Sequence, residues 1–109
     1  MVKDIVVYSR TLGCPYVSSA KQVLHRFSLS YREILINQVP EARRRVVEWT
    51  GFESVPTIIA ALKGQDLPYE PPDPLPAGAS PRGINRGSMI TEPSAPQLEE
   101  WLRQHAFIP

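Results

Sequence analysis

The sequence predicts an α/β fold in the order β-α-β-α-β-β-α, and three observations carry that expectation. Ile5-Val6-Val7-Tyr8 is a continuous apolar, β-branched run, the pattern of a strand covered on both faces. Ala20, Val23, Leu24 and Phe27 then recur at the three-and-four spacing of a helix face, with Lys21, Gln22 and Arg26 elsewhere on the turn. Tyr31 to Ile36 alternates sides with branched and aromatic residues, as a strand does. Strand, helix and strand form a βαβ unit, whose crossover is right-handed when the two strands run parallel.

The first strand reads as central. After a turn over Ser9 to Gly13, Pro15 suits the first helical position, because its fixed φ fits a helix and its missing N–H needs no partner there. That helix ends near Ser28. Pro40 opens a second helix in the same way, Glu41 suits its positive N-terminus, and Gly51 suits the residue just past its end. Ala42, Val46 and Trp49 mark its buried stripe. Val55-Pro56-Thr57-Ile58-Ile59-Ala60 re-enters an extended run, with Pro56 at a strand's first residue, one of the few places a sheet tolerates proline.

Between Lys63 and Gly87 the composition changes. Prolines at 68, 71, 72, 74, 76 and 81 and the lack of periodicity predict a long, stiff, irregular loop over about 63–87. We expect it to be ordered and to wrap the body, because Leu67, Tyr69, Leu75 and Ile84 are apolar enough to dock. Ser88 to Thr91 is a short strand. Ser94 is an N-cap candidate, with Ala95 and Pro96 opening a last helix on which Leu98, Trp101, Leu102 and Ala106 fall at helical spacing.

The 109 residues are read as one domain, long enough for a core. A net charge of +1 with mixed signs gives no field for holding nucleic acid or an acidic membrane surface. No apolar run reaches membrane-spanning length, and the start is too short for a signal peptide, so a cytoplasmic location is expected. One cysteine allows neither an intramolecular disulfide nor a zinc site built from several cysteines.

That cysteine is the centre of the functional reading. Cys14 sits at or just before a helix N-terminus, where free N–H groups and the helix dipole favour negative charge and therefore a thiolate over a thiol. His25 and His105 lie at helix ends without a cluster around them and read as surface or dipole-interacting residues. Arg43, Arg44 and Arg45 read as a solvated helix face, and Trp49 and Trp101 as core.

Cys14-Pro15-Tyr16 after the Val-Val-Tyr-Ser-Arg strand, Pro40-Glu41-Ala42-Arg43-Arg44 through Glu48-Trp49-Thr50-Gly51, and Ser54-Val55-Pro56-Thr57 together carry a resemblance. The chain resembles the glutaredoxins, which are thioredoxin-fold proteins, over roughly Ile5 to Ala60 and more loosely from Ser88 on. The resemblance implies a four-stranded mixed sheet with helices on both faces. It implies that Cys14 is the catalytic nucleophile, that Pro15, Tyr16 and Val17 form the active-site turn, and that Pro56 is cis and faces the cysteine. It implies further that Val55 pairs through its backbone with bound glutathione, that Tyr16 contributes to that site, that Arg10 meets a glutathione carboxylate, and that the strand after Pro56 runs away from the cysteine, so the Pro-rich loop should leave from the opposite end.

Two departures shape the chemistry. The family's dithiol pattern has a second cysteine where this chain has Val17, so the route left is the single-thiol one, in which Cys14 holds a glutathionyl group that a second glutathione removes. Before the last helix, the family's Gly-Gly and acidic residue are replaced by Thr91-Glu92-Pro93-Ser94. Pro93 offers no N–H and Glu92 repels a carboxylate, which leaves Ser94 and the helix N–H groups behind it to receive the γ-glutamyl end.

The first functional expectation is therefore a glutathione-dependent, monothiol thiol–disulfide oxidoreductase that uses glutathione or another small thiol and acts on glutathionylated proteins as a monomer. A second is a carrier in which two copies hold a [2Fe–2S] cluster through Cys14 and glutathione thiols. A third is a non-catalytic interaction domain that docks through the Pro-rich loop.

Overall fold

The computed structural model describes residues 2–109. Its elements are β1 (Lys3–Ser9), α1 (Pro15–Arg26), β2 (Arg32–Leu35), α2 (Pro40–Thr50), β3 (Thr57–Leu62), β4 (Met89–Thr91) and α3 (Ala95–Gln104), the order read from the sequence. One mixed sheet has the strand order β2-β1-β3-β4. β1 runs parallel to β2 and antiparallel to β3, and β4 is antiparallel to β3. Strand ends are shorter than the residue pattern implies, with Tyr31 and Ile36 outside β2 and Pro56 one residue before β3.

The continuous apolar run in β1 follows from its place between β2 and β3. Ile5 and Val7 point into a core with Ala20, Val23 and Leu24 of α1 and Leu98, Trp101 and Leu102 of α3. Val6 and Tyr8 point into a second core with Ala42 and Val46 of α2. Because side chains alternate along a strand, a run without polar interruptions fills both layers at once. Trp101 is fully buried, whereas Trp49 is half-buried and packs edge-on against Tyr8, ring centres 5.2 Å apart. Among the described residues no helix is long and apolar enough to cross a membrane.

Gly51 closes α2 in the left-handed region, at φ 81°, with its N–H donating to the Val47 carbonyl at 2.8 Å. Ser94 caps α3 reciprocally. Its hydroxyl accepts from the Gln97 N–H at 3.3 Å and its own N–H donates to Gln97 Oε1 at 2.8 Å.

His105 corrects the surface reading. It is buried between Tyr69, Trp101 and Phe107, with Nε2 2.6 Å from the Gly87 carbonyl. Burial is the main cause that pulls its pKa below the ordinary histidine value, so the ring sits there neutral and donates through Nε2–H. His25 is exposed in the last turn of α1. Arg43 and Arg44 are exposed as expected, but Arg45 is half-buried, with Nη1 3.5 Å from the Tyr8 hydroxyl.

The Pro-rich loop leaves β3 at the end away from Cys14 and comes back along the sheet. Pro68 and Tyr69 cover the far half of β3, which β4 is too short to reach, and the Tyr69 N–H donates to the Ala60 carbonyl at 2.8 Å. Residues 82–86 then line the outer edge of β4. Gly83 N–H donates to the Thr91 carbonyl at 2.7 Å and Arg86 N–H to the Met89 carbonyl at 2.9 Å, so the edge strand is paired on both sides.

The docking residues differ in part from those expected. Tyr69 packs on the core, but Leu67 and Ile84 stay 50% and 46% exposed. Arg86 is a buried anchor, whose Nε donates to the Asp73 carbonyl at 2.7 Å and whose Nη1 donates to the Trp49 carbonyl in the last turn of α2 at 2.6 Å. A cation there also faces the negative end of the helix dipole. Arg86→Ala leaves two carbonyls without their donor, at a cost of about 1–3 kcal/mol. Its expected signature is faster tryptic cleavage after Arg82 than in the wild type, and an unchanged cleavage rate would refute the anchoring role.

Candidate active site

β1 ends at Ser9 and the chain turns through Arg10 to Gly13 before α1 begins. The turn is held from outside: Thr11 N–H donates to Asn37 Oδ1 at 3.0 Å, and Asn37 Nδ2 donates to Thr11 Oγ1 at 2.9 Å. Cys14 is the N-cap of α1, extended at φ −125° and ψ 136°, and its carbonyl accepts the first helical bond from Ser18 N–H at 3.0 Å. Its side chain makes no capping bond among the described residues. Instead, Sγ lies half-buried, 3.7 Å from the Val55 carbonyl. The sulfur thus stands where the positive end of the α1 dipole concentrates.

Pro15, Tyr16 and Val17 form the first turn of α1, and Val17 is buried in the α2-side core. On the facing side the Val55-Pro56 peptide is cis, as the resemblance implies. The Pro56 carbonyl accepts from the Glu92 N–H at 2.8 Å, and Thr57 Oγ1 lies 3.2 Å from Thr91 Oγ1, so the segment before β3 is fastened to the β4–α3 junction.

Between these walls lies an open cleft of about 440 Å³, whose lining includes Arg10, Cys14, Phe52, Glu53, Val55 and Glu92. That size falls in the range of about 300–1,000 Å³ typical of small-molecule sites. Arg10 Nη2 donates to the Glu53 carbonyl at 2.8 Å, while its buried Nε has no hydrogen-bond partner among the described residues. The Glu53 carboxylate pairs with Arg43 at 3.0 Å. Glu92, at φ 45°, pairs with Arg82 of the Pro-rich loop at 3.1 Å, and the Arg82 guanidinium lies 5.1 Å from the Tyr16 ring centre.

The structure therefore brings Arg10, Cys14 and Val55 together at one cleft, with Pro56 behind Val55 and Tyr16 beneath Arg82. Ser94 is placed otherwise. It does not line the cleft; its hydroxyl accepts from the Gln97 N–H and its own N–H donates to Gln97 Oε1, which leaves only its O–H for a carboxylate. Asn37, Glu53 and Arg82 are additions that the sequence reading did not include. Asn37 and Arg82 reach the site from turns and loops, where no periodicity marks a functional face. Among the described residues no three of the His, Cys, Asp and Glu side chains group as a metal site.

The glutaredoxin family model matches residues 5–66. A curated glutaredoxin of Vernicia fordii is 30% identical over 63 residues, covering 55% of this chain and 60% of that protein. A glutaredoxin of Pseudomonas aeruginosa is 37% identical over 54 residues, covering 50% of this chain and 63% of that one. The chain thus spans less than two thirds of the length of either relative. Among solved structures, the crystal structure of the holo form of glutaredoxin C1 from Populus tremula x tremuloides aligns with 93% of this chain and 74% of its own, at a TM-score of 0.47 and 18% identity. The family match runs from β1 past the end of β3 and takes in the cleft residues from Arg10 to Val55, though not Glu92, and on it the chain belongs to the glutaredoxin family.

Proposed function

We propose that the protein is a monothiol, glutathione-dependent thiol–disulfide oxidoreductase that removes glutathione from mixed disulfides. The observation that carries this reading is the position of the chain's one thiol, at the N-terminus of α1 and opening on the cleft beside the Val55 carbonyl. In the first step the Cys14 thiolate attacks the glutathione sulfur of a glutathionylated substrate. A Cys14–glutathione disulfide forms, the substrate's disulfide breaks, and the substrate sulfur leaves as a thiolate that takes up a proton. In the second step a glutathione thiolate attacks the glutathionyl sulfur on Cys14. Oxidised glutathione departs and Cys14 returns as a thiolate. No electrons are gained or lost by the enzyme over the cycle.

The single-thiol route follows from Val17, which fills the core where the dithiol pattern has its second sulfur. Arg10 supplies a cation for one glutathione carboxylate, and Val55 supplies the extended backbone against which a tripeptide pairs as an added strand. Such chemistry belongs in a reducing compartment such as the cytoplasm, where small thiols are abundant.

Mass spectrometry after exposure to oxidised glutathione tests the reading. The expected result is a single, complete glutathionyl adduct on Cys14 that reduced glutathione releases rapidly. No adduct, or one that reduced glutathione leaves in place, would overturn it.

A further inference from the structure

The two acidic residues of the Cys14 cleft each stand against an arginine. Glu53 is paired with Arg43 of α2 at 3.0 Å and Glu92 with Arg82 at 3.1 Å. Arg10, on the same lining, meets only a main-chain carbonyl. The cleft is therefore positive through Arg10 only while both carboxylates keep their partners. Without Arg82, Glu92 would turn an uncompensated negative charge toward incoming anions, and it could not swing away cheaply. Its N–H is bonded to the Pro56 carbonyl at 2.8 Å, and Pro93 behind it is buried.

Arg82 is delivered by a loop that starts at the other end of the sheet. The path is set by packing rather than by chance proximity: the Gly83 N–H donates to the Thr91 carbonyl at 2.7 Å. Gly83 itself has φ 72°, and a Cβ there would lie 2.8 Å from the Gln97 side chain that completes the α3 cap. Only glycine fits. Arg82 then lies over the Tyr16 ring, two residues beyond Cys14, with its side chain 58% exposed and so within reach of a solute. The hydrogen bond to Glu92 is the main cause that raises the Arg82 pKa, with smaller contributions from Tyr16 and Cys14.

We propose that Arg82 is the anion-selecting residue of this cleft: it cancels Glu92 and so lets Cys14 react with thiols and disulfides that carry a carboxylate. This rests on Cys14 being the reactive thiol and goes beyond it by naming what sets substrate charge. Arg82 is a positioning and specificity residue, and it takes no part in bond exchange.

Alkylation tests it, because the chain has one cysteine and so one reacting sulfur. Iodoacetate is an anion, iodoacetamide is neutral, and both lose iodide to the same thiolate, so the ratio of their rates reports charge apart from the sulfur's own reactivity. At low salt, Arg82→Ala should lower the iodoacetate-to-iodoacetamide ratio by about two- to fivefold, the range expected of an exposed charge pair. Glu92→Gln should raise the ratio, Arg82→Lys should keep most of it, and the double Arg82→Ala, Glu92→Gln variant should return close to wild type. The differences should shrink in about 1 M salt, where screening acts over about 3 Å. Opposite shifts from the two single variants are not a signature of unfolding, which opens Cys14 to both reagents alike. Equal ratios in the wild type, Arg82→Ala and Glu92→Gln would overturn the assignment and leave the Cys14 chemistry standing. Failure of iodoacetamide to alkylate the wild type would overturn both.

Discussion

Cys14→Ser abolishes turnover of a glutathionylated substrate while leaving the protein as stable as before or slightly more so. A serine hydroxyl stays protonated at neutral pH and cannot form the mixed disulfide, so no part of the two-step exchange survives. Stability moves the other way for a local reason. Cys14 occupies the N-cap of α1 with extended backbone angles and makes no capping bond among the described residues. Serine is among the best residues for that position, and its hydroxyl can accept from an N–H of the first turn, worth a few tenths to about 1 kcal/mol. The sulfur gives up only a long contact to the Val55 carbonyl, at 3.7 Å. Substrate turnover and thermal melting on the same preparation therefore separate the two roles of the position. Residual turnover above background would refute the nucleophile, and a marked fall in melting temperature would show that the thiol holds the cleft together. The expected pair of outcomes means that a helix cap has been given up for a nucleophile, the exchange of stability for chemistry usual at active sites.

Much of this was legible in the sequence because the responsible forces are local. A run such as Ile5 to Tyr8 can be covered only by placing it inside a sheet, and Pro15, Pro40 and Gly51 mark helix ends through backbone sterics alone. The capping box of α3 is half legible: Ser94 stands out as an N-cap, while its reciprocal partner is Gln97, three residues on. The contacts that escaped are long-range ones made by irregular chain. Arg86 reaches the end of α2 and Arg82 reaches Glu92 from a stretch without periodicity, where neither spacing nor propensity says which arginine turns inward. His105 was misread for a related reason. A histidine at a helix end looks like a dipole partner, and only the return of the Gly87 carbonyl from the loop makes burial of its ring affordable.

Trp101→Ala carries the largest expected loss of stability. Trp101 is fully buried, packs against His105 and Phe107 with ring centres 4.7 and 6.2 Å away, and donates its indole N–H to the Gly87 carbonyl at 2.9 Å. Its removal opens a cavity between α3 and the sheet, which costs about 3–5 kcal/mol at comparable sites. Since domains of this size hold only about 5–15 kcal/mol, the melting temperature should fall by at least roughly 12–20 °C, at about 4 °C or more per kcal/mol. Trp101→Phe separates packing from the hydrogen bond. It keeps most of the buried ring and loses one N–H donor, and the Gly87 carbonyl still has His105 Nε2 at 2.6 Å, so its cost should stay near 1 kcal/mol. Denaturant melts of the three proteins decide the matter. Equal losses for alanine and phenylalanine would place the stabilisation in the bond to Gly87 rather than in the ring, and a negligible loss for alanine would mean that α3 is not fastened through this residue. The consequence reaches the cleft, because β4 and α3 meet at Glu92. Loosening α3 frees the wall that Arg82 neutralises, so in Trp101→Ala the charge preference of Cys14 alkylation should weaken before the fold is lost.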